Sequence, residues 1–513
     1  MIYNKIITGL TFLASFFFIQ ESNAQLEKAN AVTILPSDNY KTIIEKAANI
    51  VPSQRQLAWQ QRELIAFFHF GINTFSDKEW GDGTASPTLF NPKKFDAHQW
   101  VKTVKDAGFK EVILTAKHHD GFCLWPSAYT EYSVKNSPWK NGKGDVVRAV
   151  SDACHELGMD FGIYLSPWDR NSKLYGTGKA YNQYYENQLR ELLTNYGEID
   201  EIWLDGANGE GPNGKKQSYD FSKWYSIMRD LQPQAVIFGM GPDVRWIGTE
   251  SGYGRESEWS VVPINNLDPN SIAENSQTDV AFKPEGDMMG DDLGSRNKII
   301  RATGLAWYPA EADVSIRPGW FYHEKEDSIV KSAGKLMDIY LNSVGKNGVM
   351  LLNIPPNMDG LLSQQDIKSV KAFHTLQEET FRKNYALGGI VSAAGCINPQ
   401  GLIDDNPSSY IMPENNDTTM SIVVSLNGPK TFNLVSLQEF IPAGQEVEKW
   451  TLEYNTGNQW MLCAQGTTIG YKRMTTFPTI TTSDVRLTIV SARSTPKISE
   501  IGLYKLPENW KEK

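Results

Sequence analysis

Short apolar segments that end in polar clusters, each followed by a stretch of helical character, restrict this chain's possible folds more than any other feature. Strand-like runs lie at Leu64 to Ile72, Glu111 to Lys117, Met159 to Leu165, Ile199 to Leu204, Ala235 to Met240 and Val349 to Ile354. Helical patterns fall between them: Asp96 to Ala107 with Gly108 as a stop, Asp145 to Leu157 closed by Gly158, Ala180 to Tyr196 closed by Gly197, and Tyr219 to Leu231 stopped by Pro233. A strand buried on both faces reads as a continuous apolar run, which points to a parallel sheet covered by helices. Two architectures satisfy that pattern, an open doubly wound sheet and a closed (β/α)8-like barrel. No GxGxxG follows the first strand, which lowers the dinucleotide-binding version. The expected fold class is therefore α/β, a (β/α)8-like barrel, with its later strands irregular between about Gly241 and Asp313.

After the helical segment Gln364 to Asn384 the texture changes. Phe432 to Leu437, Lys449 to Tyr454, Val485 to Ser491 and Ile498 to Tyr504 alternate apolar and polar residues, as half-buried antiparallel strands do. A C-terminal β-sandwich over 386–513 is expected, following a catalytic barrel over 25–385. Residues 1–24 read as a signal peptide: a lysine near the start, an apolar run from Ile6 to Ile19, then Ser22-Asn23-Ala24 before Gln25. A secreted or periplasmic protein is expected, with no membrane span in the mature chain. The four cysteines, Cys123, Cys154, Cys396 and Cys463, lack CxxC spacing, which argues against a zinc site and leaves disulfides open. A formal net charge of −10 without a basic patch argues against a nucleic-acid partner. The 15 tryptophans supply flat apolar faces of the kind sugars pack on, although most are expected in the core.

In a barrel the residues that do chemistry come from the C-terminal ends of several strands. Here those ends read His69-Phe70-Gly71, Lys117-His118-His119-Asp120-Gly121-Phe122, Gly162-Ile163-Tyr164-Leu165-Ser166 and Asp205-Gly206. Three of the chain's seven histidines fall at such ends, alongside Trp80, Trp125 and Trp203, a mixture suited to a hydroxyl-rich ring. Asp205 by itself could be turn chemistry, since Asp-Gly is common in turns; its company makes it a candidate catalytic acid. His118, His119 and Asp120 are also metal-ligand types. Neighbouring side chains on an extended strand point to opposite faces, however, so the two histidines cannot share one ion without an irregular turn.

These motifs, together with Glu79-Trp80, Phe161-Gly162-Ile163-Tyr164 and Trp203-Leu204-Asp205-Gly206, resemble the series found in the α-L-fucosidases of glycoside hydrolase family 29. The resemblance spans the barrel. It implies a retaining exo-glycosidase with a barrel and a C-terminal β-sandwich, acting without a metal or other cofactor on a fucosylated oligosaccharide or glycoconjugate. It also implies that Asp205 is the nucleophile and that His69, Glu79, Trp80, His118, His119 and Tyr164 bind the fucose. Trp320, in Arg317-Pro318-Gly319-Trp320, resembles the aromatic that lies against the sugar's methyl side.

A retaining mechanism needs a second carboxyl about 5–5.5 Å from the first, to protonate the leaving oxygen and later deprotonate water. The segment Arg245 to Ser260 offers Glu250, Glu256 and Glu258 within nine residues. The Trp246-x-Gly248-x-Glu250 pattern resembles the acid/base of the subgroup that prefers α1,3/4-linked fucose on branched, Lewis-type glycans, with Glu258 as second choice. The alternatives are a fucosidase of broader linkage range, a retaining hydrolase for another axial-hydroxyl sugar, and a secreted carbohydrate-binding protein on a decayed barrel. The closing Ile498 to Tyr504 segment resembles the last strand of a discoidin-like sugar-binding module. There Trp450 or Trp460 could meet sugar, unless the domain simply covers one end of the barrel.

Overall fold

A computed structural model describes residues 27–239, 241–264 and 291–513. The segment expected as a signal peptide, and Met240 of the fifth strand-like run, lie outside them. Eight parallel strands form one sheet: β1 (Leu64–Phe68), β2 (Glu111–Lys117), β3 (Asp160–Leu165), β4 (Glu201–Leu204), β5 (Val236–Gly239), β6 (Arg245–Trp246), β7 (Ala310–Ser315) and β8 (Gly348–Asn353). Neighbours run β5-β4-β3-β2-β1-β8-β7-β6, and a parallel bridge between Phe238 and Val244 joins the two edges into a nearly closed barrel. The period of two is visible in where side chains go. Ile65 and Phe67 of β1 enter the barrel interior with Ile113, Tyr164, Trp203, Phe238 and Leu351. Leu64, Ala66 and Phe68 face outward into the layer of helices.

Those helices begin where the sequence places caps. Asp96 accepts from the backbone N–H of Gln99 at the head of Ala97–Asp106, and Asp145 from Arg148 at the head of Val146–Leu157, each bond satisfying one of the orphan donors of a first turn. Gly158 ends the second of these at φ 65°, in the left-handed region.

Two readings need correction. The first apolar run is not strand throughout: β1 stops at Phe68, and Ile72–Ser76 is a short helix. Its hydrophobicity persists because Phe70 packs outside the barrel on Phe75, Phe90 and Trp100. Strand β7 escaped the apolar criterion because its inward positions carry Glu311 and Asp313, both buried. Between β5 and β7 the described residues show the expected irregularity, with the two-residue β6 and an antiparallel ribbon in which Gly304–Trp307 pairs with both Val261–Ile264 and the N-terminal strand Ala31–Thr33; residues 265–290 lie outside them.

Beyond the last barrel helix, Gln364–Phe381, come antiparallel sheets. Two 20-residue strands, Met420–Glu439 and Arg473–Ala492, form their spine, and register breaks near Ser425 and Phe432 explain why alternation showed only in pieces. Trp450 is fully buried in that core, so it cannot meet a sugar. Trp460 is half-buried on an edge strand, with the Arg486 guanidinium 4.6 Å above its ring. All four cysteines are free thiols. Among the described residues no helix is long and apolar enough to cross a membrane.

The floor of the barrel holds carboxyls out of reach of water. Trp59 Nε1 donates to Glu201 at 2.7 Å and Trp203 Nε1 to Glu311 at 2.9 Å. Burial pushes both well above the usual carboxyl range, with the charge of Glu311 adding to it for Glu201 and those of Asp313 and Glu111 for Glu311. Folding therefore takes up protons that the unfolded chain gives away above about pH 4.3. The stability these groups support is complete below that pH and declines as pH rises towards their folded values. The melting temperature is expected to fall between pH 5 and 8, and Glu311→Gln, which keeps an acceptor for Trp203, should flatten that slope. An unchanged slope in the variant would remove Glu311 from the account.

Candidate active site

Asp205 lies one residue past the end of β4, where the strand's direction carries its carboxylate into the barrel mouth. Oδ1 accepts the backbone N–H of Ala207 at 2.7 Å, and Oδ2 accepts the Tyr164 hydroxyl at 3.0 Å. His119 Nε2 stands 3.6 Å from the same oxygen. Burial beside this carboxylate holds the Tyr164 phenol well above its usual range, so it stays a donor.

The three strand-end histidines converge. His118 and His119 lie with ring centroids 4.2 Å apart, and His69 is 5.7 Å from His118. The alternation argument against a shared face fails here because β2 ends at Lys117 and the chain then turns. Among the described residues, no group of three His, Cys, Asp or Glu side chains is arranged to hold a metal ion. Burial lowers all three imidazoles, His69 to about 3, so the rings are neutral. Their tautomers follow from their partners. His69 Nδ1 and its own backbone N–H both face Asn353 Oδ1, at 2.9 and 3.1 Å. An oxygen already accepting one N–H takes a second, so Nδ1 carries the proton and Nε2 is left as an acceptor. His119 Nδ1 lies 2.8 Å from Ser166 Oγ, whose own proton goes to the Trp168 carbonyl, and the same reasoning leaves Nε2 unprotonated. His118 Nδ1 is buried without a hydrogen bond. The cluster is a set of ring nitrogens waiting for hydroxyl donors.

Aromatic faces surround it. Trp80, 55% exposed, meets His119 and Trp168 edge-on at 5.3 and 5.7 Å. Trp320 lies 5.1 Å from His69 on the opposite wall. Glu79 fastens that wall: its Oε2 accepts the Trp320 N–H at 2.7 Å, and its Oε1 accepts the Phe321 N–H at 3.2 Å and faces His323 Nε2 at 2.7 Å. Trp203 is part of the floor, stacked between Tyr164 and Phe238, and Trp125 is buried away from the cleft with its N–H on Glu191.

Glu250 sits exposed on the rim, in a turn bounded by Gly248 at φ 103° and Gly252 at φ 77°, conformations that favour glycine. Protein packed against its carboxyl raises its pKa, and the charges of Asp205 and Glu79 add to that, against a hydrogen-bonding contribution from Trp320. Glu258 has a different setting. It is 1% exposed, with one oxygen on Arg245 and the other on Arg255 at 3.1 Å. Glu256 turns away towards Lys346 and Arg473.

Several participants escape a reading of the sequence. Asn353, at the end of β8, joins His69 to the Trp320 wall by donating to the Trp320 carbonyl at 2.8 Å, and the strand-end rule could have found it. Asp313, at the mouth end of β7, accepts Trp246 Nε1 at 2.7 Å. Burial, with the charges of Glu250 and Asp205 nearby, pushes it up to about 8. His323, three residues beyond Trp320, has no strand-end signal.

A parallel barrel that gathers two carboxyls of unlike environment among neutral histidines and aromatic walls, all at its C-terminal mouth, defines a glycoside hydrolase. Comparison with known proteins makes the assignment specific. The Alpha-L-fucosidase family profile matches residues 54–375. The chain is 44% identical to Alpha-L-fucosidase 1 of Arabidopsis thaliana over 465 residues, covering 88% of this chain and 87% of the plant protein. A Bacteroides ovatus structure described as a candidate α-L-fucosidase superposes with TM-score 0.85 at 46% identity, over 94% of this chain and 78% of that one. A Ruminococcus gnavus GH29 fucosidase in complex with fucose gives TM-score 0.78 at 36% identity, over 90% and 96%. The chain belongs to the α-L-fucosidase family, glycoside hydrolase family 29.

Proposed function

We propose that the chain is a retaining exo-α-L-fucosidase in which Asp205 is the nucleophile and Glu250 the acid/base. The observation that carries this is the unlike environment of the two carboxyls. Asp205 accepts the Tyr164 hydroxyl and a backbone N–H, whereas Glu250 is held towards its protonated form on the facing rim. Glu258, buried with an arginine on each carboxylate oxygen, has no access to the cleft.

In the first step Asp205 attacks the anomeric carbon while Glu250 gives its proton to the leaving glycosidic oxygen, so the C–O bond to the aglycone breaks as the bond to Asp205 forms. In the second, Glu250 takes a proton from water, whose oxygen displaces Asp205 and releases fucose. His69 and His119 accept hydrogen bonds from hydroxyls of the sugar through Nε2, and His118 completes the ring cluster. Glu79 keeps one acceptor position on Oε2, while Trp80 and Trp320 flank the ring. The glycan is proposed to carry α1,3/4-linked fucose in a Lewis-type branch, because the acid/base occurs within Trp246-x-Gly248-x-Glu250. Export to the periplasm or exterior is proposed from the apolar segment before Gln25.

The test is a linkage panel. Free fucose is expected from Lewis-type α1,3- and α1,4-linked oligosaccharides, at a kcat/KM at least about 10²-fold above that for an α1,2-linked isomer, a difference of roughly 2.7 kcal/mol. Equal rates across the panel would favour the broader enzyme and end the subgroup reading.

A further inference from the structure

The geometry points to His323, carried as an imidazolium between Asp77 and Glu79, as the positioning residue that fixes the Trp320 wall of the sugar pocket. Both ring nitrogens face carboxylate oxygens: Nδ1 makes a short contact with Asp77 Oδ1, and Nε2 lies 2.7 Å from Glu79 Oε1. A carboxylate oxygen can only accept, so both nitrogens must carry protons, and a ring with two N–H groups is cationic. The hydrogen bonds to Asp77 and Glu79 raise His323 above the usual histidine range although burial works against them.

What this cation holds is specific. Glu79 Oε1 would otherwise be free to rotate about its side chain; with His323 on one side it keeps Oε2 on the Trp320 amide and Oε1 on the Phe321 amide. The other groups around His323 lock the backbone rather than the ring. Arg317 Nη1 and the Glu326 amide both donate to the His323 carbonyl, and Arg317 is itself tied to Asp366 and Asp327. Glu326 approaches the Gly319 amide at 3.5 Å, and Lys325 acts on Asp77. Gly319 completes the fit. A Cβ there would overlap Glu79 Oε1 and stand 2.9 Å from its Cδ, so this position must lack a side chain for Glu79 to reach the loop.

The direction with pH follows. The raised histidine contributes order that is fully present below about pH 6.5 and is lost as pH rises through its folded value. Once one proton leaves, a lone pair faces one of the two carboxylates, Glu79 loses its anchor, and the amides of Trp320 and Phe321 lose a fixed acceptor. Asp205 keeps its place, while Glu250, which hydrogen-bonds with Trp320, is held less firmly. The sugar should therefore bind more weakly at alkaline pH, while the chemical step at saturation changes little on an aryl fucoside, whose leaving group needs little protonation.

This rests on the proposal that the cleft binds fucose against Trp320, and the test separates the two. The dissociation constant of L-fucose is measured by calorimetry from pH 5.5 to 9 for the wild type and His323→Gln, with KM and kcat on an aryl fucoside alongside. At pH 6 the variant is expected to bind about tenfold more weakly, the loss of one charge-assisted hydrogen bond, with kcat within about twofold of wild type. The wild type should weaken as pH rises, and the variant should lack that dependence. Gly319→Ala displaces Glu79 without touching His323 and should reproduce the weaker binding, which keeps the test open if His323→Gln does not fold. A variant that binds with wild-type affinity and an unaltered pH profile overturns the role of His323. A wild type that binds no fucose overturns it by removing the pocket itself, and the linkage panel identifies that case.

Discussion

Asp205→Ala is expected to lower kcat by more than about 10⁴-fold on any fucoside while leaving the barrel folded. The side chain lies beyond the strand end and is 24% exposed, so its removal opens no core cavity. What is lost is local: the Tyr164 hydroxyl and the Ala207 amide each lose an acceptor. Unpaired donors of this kind cost about 1–3 kcal/mol when water cannot reach them, and the cleft is open to water, so only a small drop in melting temperature should accompany the loss of activity. Azide in excess should restore part of the rate by entering the vacated space, and the product should then be the fucosyl azide of inverted configuration. Retention of more than about a tenth of the wild-type kcat would remove Asp205 from the role, since a tenfold loss corresponds to only about 1.4 kcal/mol of barrier.

The second large effect depends on the leaving group. A nitrophenolate departs with little protonation, whereas a sugar alkoxide needs a proton almost fully transferred. Glu250→Ala should therefore reduce kcat/KM on a natural fucosyl linkage by about 10²–10⁴-fold and reduce formation of the glycosyl-enzyme from an aryl fucoside far less. The pH profile is the companion measurement. A group that must be protonated to act sets the alkaline limb of kcat/KM. Because burial and the neighbouring charges of Asp205 and Glu79 raise Glu250, that limb should lie above the ordinary carboxyl range in the wild type and flatten in the variant. Glu258→Ala should instead lower stability, because Arg245 and Arg255 would be left buried without their partner. If Glu258→Ala shows the leaving-group pattern and Glu250→Ala does not, the acid/base passes to Glu258 and the subgroup reading goes with it.

What could be read in the sequence, and what could not, divides along a physical line. The positions of His69, Tyr164 and Asp205 at the barrel mouth were legible because strand direction decides where a strand-end side chain goes, whereas His118 and His119 share a face only through the turn after β2, which alternation does not report. The resemblance of short motifs added Glu79, Trp80, Glu250 and Trp320, but not the way Glu79 and Trp320 meet. They are 241 positions apart, and nothing in local pattern reports a hydrogen bond between a side chain and a backbone so distant. Strand β7 stayed hidden because Glu311 and Asp313 look like surface residues, and their burial is decided by Trp203 and Trp246, which no window around residue 311 contains. Trp450 misled in the other direction, since an aromatic in an alternating strand carries no mark of which face it occupies.

The way the barrel is stitched together bears on how the chain can be made. Synthesis delivers it from the N-terminus, yet Ala31 pairs with Ala306, and Leu64 of β1 lies beside Met350 of β8. Until that distant partner arrives, β1 has β2 on one side and a bare edge of backbone donors and acceptors on the other, the kind of edge that recruits the wrong strand. Long-range parallel pairing is slow because the loop must close before any contact compensates for its lost entropy. A nascent chain halted short of Gly348 therefore has most of the residues of the catalytic cleft but not Asn353, and no closed barrel to hold them.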